Sequence, residues 1–460
     1  MDSLENRSTY SPNRVIVVGG GWAGLSCAYA LTRWGYPVTL LEAAPQWGGR
    51  ARTIQWASLG LALDNGQHIL LGAYEQFLHI LRELGQDTKP LFQRVPLGFR
   101  IETANRVCEF QSQAKWPAPW NLVMGFMKAK GWTLGEKWRL LKILRRIRGL
   151  NASDYVDQTV LTFLQTQGQT ETLIETFWSP LLLAALSTPL KEASAFYAIR
   201  VLQDSFSGKK GHSDLLIPLK PLGELLPEPM VAFLEEQGQV LGCHQRVQSL
   251  LFDETGSTCL GVKTKEATFR GRVVLALPHR SMNFAHGTQT LQETLVKQPQ
   301  DIAYQPILTI YYAFEFPPVL PSPLLAIIKQ YHYWVFQKHY DAHVNVLAVV
   351  LSGEGAHTTE TKDEVMDHIQ HELQDRFPGM GKLIDRKYIQ EKYAAFSCHS
   401  DHASARITQD QYVTPISQLW QCGDETHHDY PSTLEGAIQS GLGCAQAIWQ
   451  TDRSMEWMGN

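Results

Sequence analysis

The feature that most constrains this chain is an apolar strand followed at once by a glycine-rich turn and a helix. Residues 14–18 (RVIVV) are predicted to form a strand, residues 22–34 a helix and residues 38–42 (VTLLE) a second strand. Strands this apolar suit a sheet that is covered on both faces. The segment therefore predicts a βαβ unit and an α/β fold.

The turn carries glycines at the spacing G-x-G-x-x-G, which are Gly19, Gly21 and Gly24. The first permits the tight turn, the second lets the backbone approach a pyrophosphate, and the third lets the helix pack closely. The helix N-terminus then faces the phosphates. We therefore predict a dinucleotide-binding turn, and we include Trp22 and Ala23 in it.

An acidic residue ends the second strand. Glu42 lies 21 residues after Gly21, where a carboxylate can accept hydrogen bonds from both ribose hydroxyls. A carboxylate at this place disfavours a 2′-phosphate, which argues against NADP. The alternative is a plain glycine-rich turn with a surface glutamate beside it.

A Gly-Gly-Arg turn follows Glu42 at residues 48–50. The pattern E-x-x-x-x-x-G-G-R resembles the flavin-containing amine oxidases and phytoene desaturases. The resemblance implies that the nucleotide is FAD, and that Gly49 and Arg50 contact its pyrophosphate and flavin side. Arg50 can supply planar, charge-assisted hydrogen bonds to phosphate oxygens. The alternative is a solvated arginine after a loop.

Residues 244–251 (HQRVQSLL) carry a second part of the same resemblance. It implies that the backbone of Val247 holds the adenine. The residues alone fit an ordinary strand equally well, and both interpretations stay open.

The segment 419–445 resembles the C-terminal FAD motif of the same superfamily. The resemblance places Gly423 and Asp424 beside the pyrophosphate and ribityl chain. Ser432 and Glu435 have the spacing of a capping box, which predicts a helix over 433–449. The positive end of that helix, with Leu434 and Glu435, would then point at the flavin. An ordinary capped helix is the alternative.

Three further segments resemble the hydroxysqualene dehydroxylases: residues 63–74, which contain D-N-G-Q-H, residues 176–206 and residues 216–238. The resemblance runs from about Arg14 to Ile448. It implies removal of the hydroxyl group of hydroxysqualene with reduced FAD, giving squalene for isoprenoid and hopanoid synthesis. It also implies an apolar isoprenoid substrate and association with upstream enzymes of squalene formation.

The D-N-G-Q-H loop approaches the isoalloxazine ring in the wider superfamily, so we assign Gly66 to the cofactor site. We hypothesise that His68 protonates the leaving hydroxyl or orders a water that does, with Gln67 positioning it, because histidine transfers protons near neutral pH. The alternative is that His68 only bonds to the backbone beside the flavin. Other candidate donors in the substrate domain are Tyr197, Tyr311 and Tyr312.

The order of these motifs predicts a discontinuous domain. We predict a Rossmann-like FAD-binding domain from residues 12–75, 211–285 and 412–452, and an α+β substrate domain from residues 76–210 and 286–411. Residues 76–210 read as mostly helical. Strands are predicted at 272–277, 307–314, 343–351 and 418–422.

Composition narrows the remaining choices. The net charge of −4 gives no drive towards nucleic acid. The seven cysteines are widely spaced without a C-x-x-C pair, which argues against a disulfide framework or metal site and for a reducing compartment. The polar first fourteen residues do not resemble a signal peptide, and no apolar run is long enough to span a bilayer, so we expect a cytoplasmic location.

Residues 115–149 combine tryptophans with many cations and a single acid, Glu136. An apolar stripe formed by Trp138, Leu141, Ile143, Leu144 and Ile147 opposes several lysines and arginines. This composition suits an interfacial helix on anionic lipid, which would give a peripheral membrane contact. A helix that packs inward with solvated cations is the alternative.

Three other functions share the cofactor motifs. One is a carotenoid-type desaturase or isomerase acting on a C30 or C40 polyene. A second is an amine oxidase with an aromatic pair at the flavin, for which Trp420 and Tyr430 are the candidates. A third is a non-catalytic FAD-dependent scaffold.

Overall fold

The computed structural model describes residues 13–206, 209–285, 302–316, 318–341, 344–400, 412–426 and 429–458. The strands are β1 Val15–Val18, β2 Val38–Leu41, β3 Thr53–Trp56, β4 Leu61–Asp64, β5 Leu70–Leu71, β6 Phe92–Val95, β7 Gly98–Thr103, β8 Val107–Gln111, β9 Leu215–Pro218, β10 Val240–Gly242, β11 Val247–Phe252, β12 Cys259–Thr264, β13 Thr268–Arg270, β14 Arg272–Leu275, β15 Tyr304–Phe314, β16 Leu325–Ile328, β17 His332–Asp341, β18 Val344–Ser352, β19 Leu383–Phe396 and β20 Leu419–Gln421.

The helices are α1 Trp22–Arg33, α2 Glu75–Glu83, α3 Trp120–Lys128, α4 Leu134–Ile147, α5 Val160–Thr166, α6 Glu171–Leu173, α7 Ser179–Leu186, α8 Ala195–Ser205, α9 Leu222–Leu225, α10 Pro227–Glu236, α11 Lys362–Arg376 and α12 Leu434–Met458. Among the described residues, no helix is both long and apolar enough to cross a bilayer.

A parallel five-stranded sheet has the order β10-β2-β1-β14-β20. The four side chains of β1 are buried, as expected for a strand covered on both faces. The chain builds outward from β1 in both directions, so a topological switch point lies beside it. Helices α1, α10 and α12 share one apolar core on one face, and the β11–β13 meander covers the other. The predicted Rossmann-like α/β class is confirmed.

A mixed seven-stranded sheet has the order β19-β15-β18-β17-β16-β7-β8, in which only β16 and β7 run parallel. Helix α11 packs on one face through Val365, Ile369 and Leu373. Helices α3 to α8 share a separate core with β7 and β8, centred on Phe177. Gly19 and Ala276, which follow β1 and β14, line one cavity together with Trp334 and Val350, which lie on the face of the mixed sheet that α11 leaves free.

Several sequence-based boundaries need correction. The segment 76–210 was predicted to be mostly helical. Its first part is not, because the strands β6, β7 and β8 occupy residues 92–111. The side chains of β8 alternate between buried and exposed, as expected for a strand with one covered face. The final helix continues to Met458 rather than ending at 449. The predicted strand at 343–351 is observed from Val344, and residue 343 lies outside the described residues.

The predicted apolar stripe of the segment 115–149 is also wrong. Ile143, Leu144 and Ile147 on α4 are buried in the helical core, whereas Trp138 lies on the opposite, exposed side. The apolar side of α4 therefore faces the protein core, where its side chains are removed from water.

Candidate active site

The glycine turn at the end of β1 has the geometry that its spacing predicts. Gly19 has a φ of +111°, and a Cβ there would lie 2.4 Å from the carbonyl oxygen of Ala276. A Cβ at Gly24 would lie 1.9 Å from the carbonyl oxygen of Gly19, so α1 packs directly on the turn. Gly21 is different, since the nearest atom to a Cβ there is 3.8 Å away. The space beside Gly21 is therefore wide enough for a ligand to approach the backbone.

Glu42 lies immediately after β2, and the backbone fixes its carboxylate. One oxygen accepts a hydrogen bond of 2.6 Å from the Gly20 amide, and the other accepts one of 2.8 Å from the Ala44 amide. Each oxygen keeps further lone pairs, so the carboxylate can still accept hydrogen bonds from a ligand. Gln245 donates its amide to the Glu42 carbonyl at 2.8 Å, which brings Val247 to the same end of the sheet.

The Gly48–Gly49 turn packs on the first glycine turn, because the Gly48 amide donates to the Gly20 carbonyl at 2.8 Å. Arg50 follows, and its guanidinium forms an ion pair with Asp424. Burial opposes the charge of Arg50, but Asp424 and Glu425 raise its pKa above the ordinary value. The sequence assigned both residues to the cofactor but did not predict that they pair with each other.

The predicted capping box of Ser432 and Glu435 is wrong. Helix α12 begins at Leu434, and the hydroxyl of Thr433 accepts the Gly436 amide at 3.0 Å. Ser432 bonds instead to Asp424, which competes for its hydroxyl. Thr433 is therefore the residue that caps the helix.

Glu435, predicted to contact the cofactor, binds to helix α2 instead. Its carboxylate accepts the amides of Gln76 at 2.8 Å and Phe77 at 3.0 Å, so it caps the first turn of α2. Burial raises its pKa, an effect that the two amides oppose. Leu434 and Thr433 line the central cavity, whereas Glu435 is not among its lining residues.

One cavity of about 810 Å³ connects these parts. Its polar end is formed by Gly19, Gly21, Trp22, Ala23, Glu42, Gly49, Arg50, Val247, Gly423 and Asp424. The loop residues Gly66, Gln67 and His68 line it further along. Its apolar end is formed by Leu97, Phe177, Leu181, Leu182, Leu324 and Trp334.

The cavity fits a bound dinucleotide on two observations. Space above Gly21 lets a pyrophosphate reach the backbone, and the helix N-terminus of α1 offers unpaired amides there. The Oε1 atom of Gln67 is buried without a hydrogen-bond partner among the described residues, which is costly unless a ligand satisfies it. Gly24 lies behind the turn and has only a packing contact.

A buried ion pair lies at the base of the D-N-G-Q-H loop. The Lys338 ammonium lies 2.6 Å from Asp64 Oδ2, and both side chains are buried. Burial lowers the pKa of Lys338, and Asp64 opposes this. Asp64 also accepts the Leu222 amide at 2.7 Å, so it fixes the start of the loop to α9.

The His68 ring is held by the backbone at the cavity wall. Its Nδ1 lies 2.7 Å from the carbonyl oxygen of Gly66, so Nδ1 carries the proton and donates it. Burial lowers the pKa of His68, which favours the neutral ring. In that state Nε2 has a lone pair and no proton, so it can accept a hydrogen bond but not donate one.

The structure places an acid in the cavity that the sequence analysis did not select. Asp204 on α8 lines the same cavity, and the Tyr430 hydroxyl bonds to it. Burial raises the pKa of the Asp204 carboxyl, and Arg200 opposes this. Its place in the segment 201–206, which carries the family resemblance, was the one signal available.

The tyrosines predicted as alternative donors are elsewhere. Tyr311 donates to the Asp64 carbonyl at 3.0 Å, and Tyr312 donates to the Met366 carbonyl at 2.9 Å. Tyr197 is buried in the helical core. None of the three is among the cavity-lining residues. Trp420 is likewise in the core beneath the sheet, so it does not form an aromatic pair with Tyr430 in the cavity.

Three cysteines converge beneath the glycine turn, although the sequence predicted no metal site. The sulfur atoms of Cys27, Cys422 and Cys444 all lie within 4.8 Å of one another, and all three residues are buried. Hydrogen bonds from Cys27 and Cys444 lower the pKa of the Cys422 thiol. Three thiols at these distances could hold a soft metal ion. Cys27 lies on α1, Cys422 directly follows β20 and Cys444 lies on α12, so only the packing of these distant segments brings the three together and their sequence spacing gives no signal.

A parallel sheet with this glycine turn is the architecture of dinucleotide-binding proteins. Residues 22–449 match the family of flavin containing amine oxidoreductases, and the chain belongs to that family. It is therefore a flavin-dependent oxidoreductase, as the sequence predicted.

The relatives agree with the narrower resemblance. The chain is 27% identical to a hydroxysqualene dehydroxylase of Rhodopseudomonas palustris, over 96% of this chain and 99% of the relative. It is 25% identical to a hydroxysqualene dehydroxylase of Sinorhizobium fredii, over 94% of this chain and 97% of the relative. The predicted similarity to this group is confirmed.

A solved structure shares the fold. An oxidoreductase from Methanosarcina mazei superposes with a TM-score of 0.71 at 12% identity, covering 94% of this chain and 100% of that one. At this identity the likeness concerns the fold alone.

Proposed function

We propose that this chain binds FAD and removes the hydroxyl group of hydroxysqualene reductively, forming squalene. The observation that carries the proposal is one cavity that joins a dinucleotide cradle to an apolar end and has Asp204 in its wall. The similarity to two hydroxysqualene dehydroxylases along nearly the whole chain supports the same reaction.

FAD is favoured over FMN by the residues of the polar end. Glu42 lies where an adenosine ribose would offer two hydroxyls, and FMN has no such ribose. Titration of the flavin-free protein with each flavin tests this. We expect FAD to bind at least tenfold more tightly than FMN, and Glu42→Gln to weaken FAD binding about tenfold by removing a charge-assisted acceptor. Equal affinity for the two flavins would contradict the assignment.

Reduced FAD, when bound, supplies the hydride that replaces the hydroxyl group. The carbon–oxygen bond breaks and the hydroxyl departs as water, so its oxygen needs a proton. We assign this proton to the Asp204 carboxyl, because burial raises its pKa and thereby favours the protonated form. Of the other acids that line the cavity, Glu42 accepts two backbone amides, Asp424 pairs with Arg50, and Glu391 accepts the Tyr393 amide.

His68 then has a different role from the one that the sequence suggested. Because its Nδ1 donates to Gly66, the neutral ring presents an acceptor at Nε2. An acceptor can orient the hydroxyl or the departing water, and the Oε1 of Gln67 can do the same. The apolar side chains around Phe177 and Trp334 exclude other water from the reacting carbon.

The test uses anaerobically reduced enzyme and hydroxysqualene, with flavin reoxidation followed by absorbance and product by mass spectrometry. We expect reoxidation with one squalene formed per flavin. Asp204→Asn is expected to slow this step at least a hundredfold with flavin content unchanged. The control is Asp214→Asn, which changes an acid paired with Arg94 outside the cavity.

Two results would contradict the proposal. One is an unchanged rate of flavin reoxidation in Asp204→Asn, which would show that Asp204 does not donate the proton. The other is conversion of squalene to conjugated polyenes by the oxidised enzyme with no turnover of the alcohol, which would instead identify a desaturase.

A further inference from the structure

Helices α3 and α4 expose large apolar side chains to solvent. Trp120 is 57% exposed, Leu134 is 67% exposed and Trp138 is 65% exposed. Trp116 and Met127 are also exposed. We call these five residues the tryptophan surface. Side chains of this size are normally buried, so their grouping on two successive helices marks an interaction surface.

The outward face of α3 is apolar along its whole length. Trp120, Val123, Met124 and Met127 follow the helical spacing and are exposed or half-buried, whereas Leu122 and Phe126 face the core. The first charged residue of α3 is its last, Lys128. A helix that faces only water would carry polar residues on this side.

Helix α4 continues the surface and adds charge to it. Its first two turns expose Leu134 and Trp138, and its later turns expose Lys142, Arg145 and Arg146. Glu136, the only acid in the segment 115–149, is buried and bonds to Thr133 in a capping box. The surface therefore combines exposed tryptophans with exposed cations.

The two helices are held in fixed positions. The Lys137 ammonium is buried and donates to the Met127 carbonyl at 3.1 Å, joining the last turn of α3 to the first turn of α4. The inner face of α3 reaches the cavity wall, because Phe126 contacts Phe177 with ring centroids 5.7 Å apart. Phe177 lines the cavity.

We propose that the tryptophan surface docks on the interface of an anionic lipid bilayer. Tryptophan rings favour the headgroup region, and the adjacent cations complement anionic lipids. The reason for docking rests on the proposed function: an apolar C30 substrate dissolves in the bilayer, and Phe126 on the inner face of α3 contacts the cavity-lining Phe177. The docking itself is measured without substrate, so the two proposals can fail separately.

The experiment is flotation of the purified flavin-containing protein with liposomes of phosphatidylcholine alone or with phosphatidylglycerol. We expect binding to the anionic vesicles at low salt and weaker binding at high salt. The double variant Trp120→Ser/Trp138→Ser is expected to bind at least tenfold more weakly. The matched control is Trp34→Ser, which removes a tryptophan that is 45% exposed on the end of α1.

A second variant tests the charge. Arg145→Gln/Arg146→Gln is expected to lower binding to anionic vesicles about fivefold per charge and to reduce its dependence on salt. Absence of flotation on anionic vesicles at either salt would overturn the proposal. An equal loss in Trp34→Ser would overturn it as well, because the effect would not belong to this surface.

Turnover separates docking from catalysis. With detergent-dispersed hydroxysqualene, the Trp120→Ser/Trp138→Ser variant should match the wild type, whereas with vesicle-borne substrate it should be slower. If the protein floats but turns over neither form of the substrate, the proposed reaction fails and the docking surface stands.

Discussion

The guanidinium of Arg50 and the carboxylate of Asp424 form an ion pair, although 374 residues separate them in the chain. The pair joins the turn after β2 to the loop after β20, on opposite sides of β1. The two residues that the sequence assigned to the cofactor therefore also hold the two halves of the cradle together.

Removing the charge of Asp424 should destabilise this junction. Asp424→Asn leaves the Arg50 guanidinium beside the cradle without its carboxylate. Because Asp424 is buried while Arg50 is partly exposed, we expect the free energy of unfolding to fall by about 2 kcal/mol, below the cost of breaking a fully buried pair. Urea unfolding followed by tryptophan fluorescence measures it. Asp214→Asn breaks the more exposed pair with Arg94 and should cost less than about 1 kcal/mol. An equal fall in the free energy of unfolding of the two variants would show that the Arg50–Asp424 pair stabilises the fold no more than an exposed ion pair does.

The glycines of the first turn should separate packing from ligand binding. Gly21→Ala adds a methyl group that meets no protein atom closer than 3.8 Å, at a φ of −75° that alanine adopts readily. We expect this variant to fold normally but to lose most of its flavin, because the methyl group occupies the pyrophosphate position. Gly24→Ala places its methyl group 1.9 Å from the Gly19 carbonyl and should destabilise the fold itself.

Melting temperature and the flavin-to-protein absorbance ratio measure both effects. If the Gly21→Ala protein kept its full flavin content, the pyrophosphate could not lie against this turn.

The features that the sequence could predict are those encoded locally. A tight turn with a positive φ needs glycine at Gly19, and a carboxylate at the end of β2 follows from strand length and spacing, so both are visible in a short window. The parallel sheet follows from the same βαβ unit.

The features that it could not predict depend on contacts between distant segments. Asp204 matters only because α8 places it in the cavity beside Tyr430, and Glu435 was misassigned because α2 offers its free amides to it. The apolar stripe of α4 fitted a lipid-facing helix and an inward-packing helix equally well, because its periodicity is consistent with either. Periodicity shows that a face is apolar but not what covers it.

The buried pair of Lys338 and Asp64 should be essential as a pair. Lys338→Met leaves the Asp64 carboxylate buried without a counter-charge, and we expect a loss of about 3 to 5 kcal/mol in the free energy of unfolding. The double variant Lys338→Met/Asp64→Asn removes both charges while asparagine can still accept the Leu222 amide. It should recover a large part of the loss. A double variant less stable than Lys338→Met would contradict this view of the pair.

The pH dependence of turnover should distinguish the roles of His68 and Asp204. Burial lowers the pKa of His68, so its neutral, accepting form is lost only as the pH falls below about 6.5, the ordinary value for histidine. Burial raises the pKa of the Asp204 carboxyl, and the proton-donating form of this carboxyl is lost as the pH rises through its raised pKa. We therefore expect kcat/KM to decline on both sides of an optimum.

The variants assign each side of that profile. His68→Gln should remove the decline at low pH, because an amide does not titrate, and Asp204→Asn should leave a residual rate without the decline at high pH. Stopped-flow measurement of flavin reoxidation from pH 5 to 9 would provide both profiles. If His68 is the proton donor instead, its substitution must abolish the decline at high pH and Asp204→Asn must leave that decline in place.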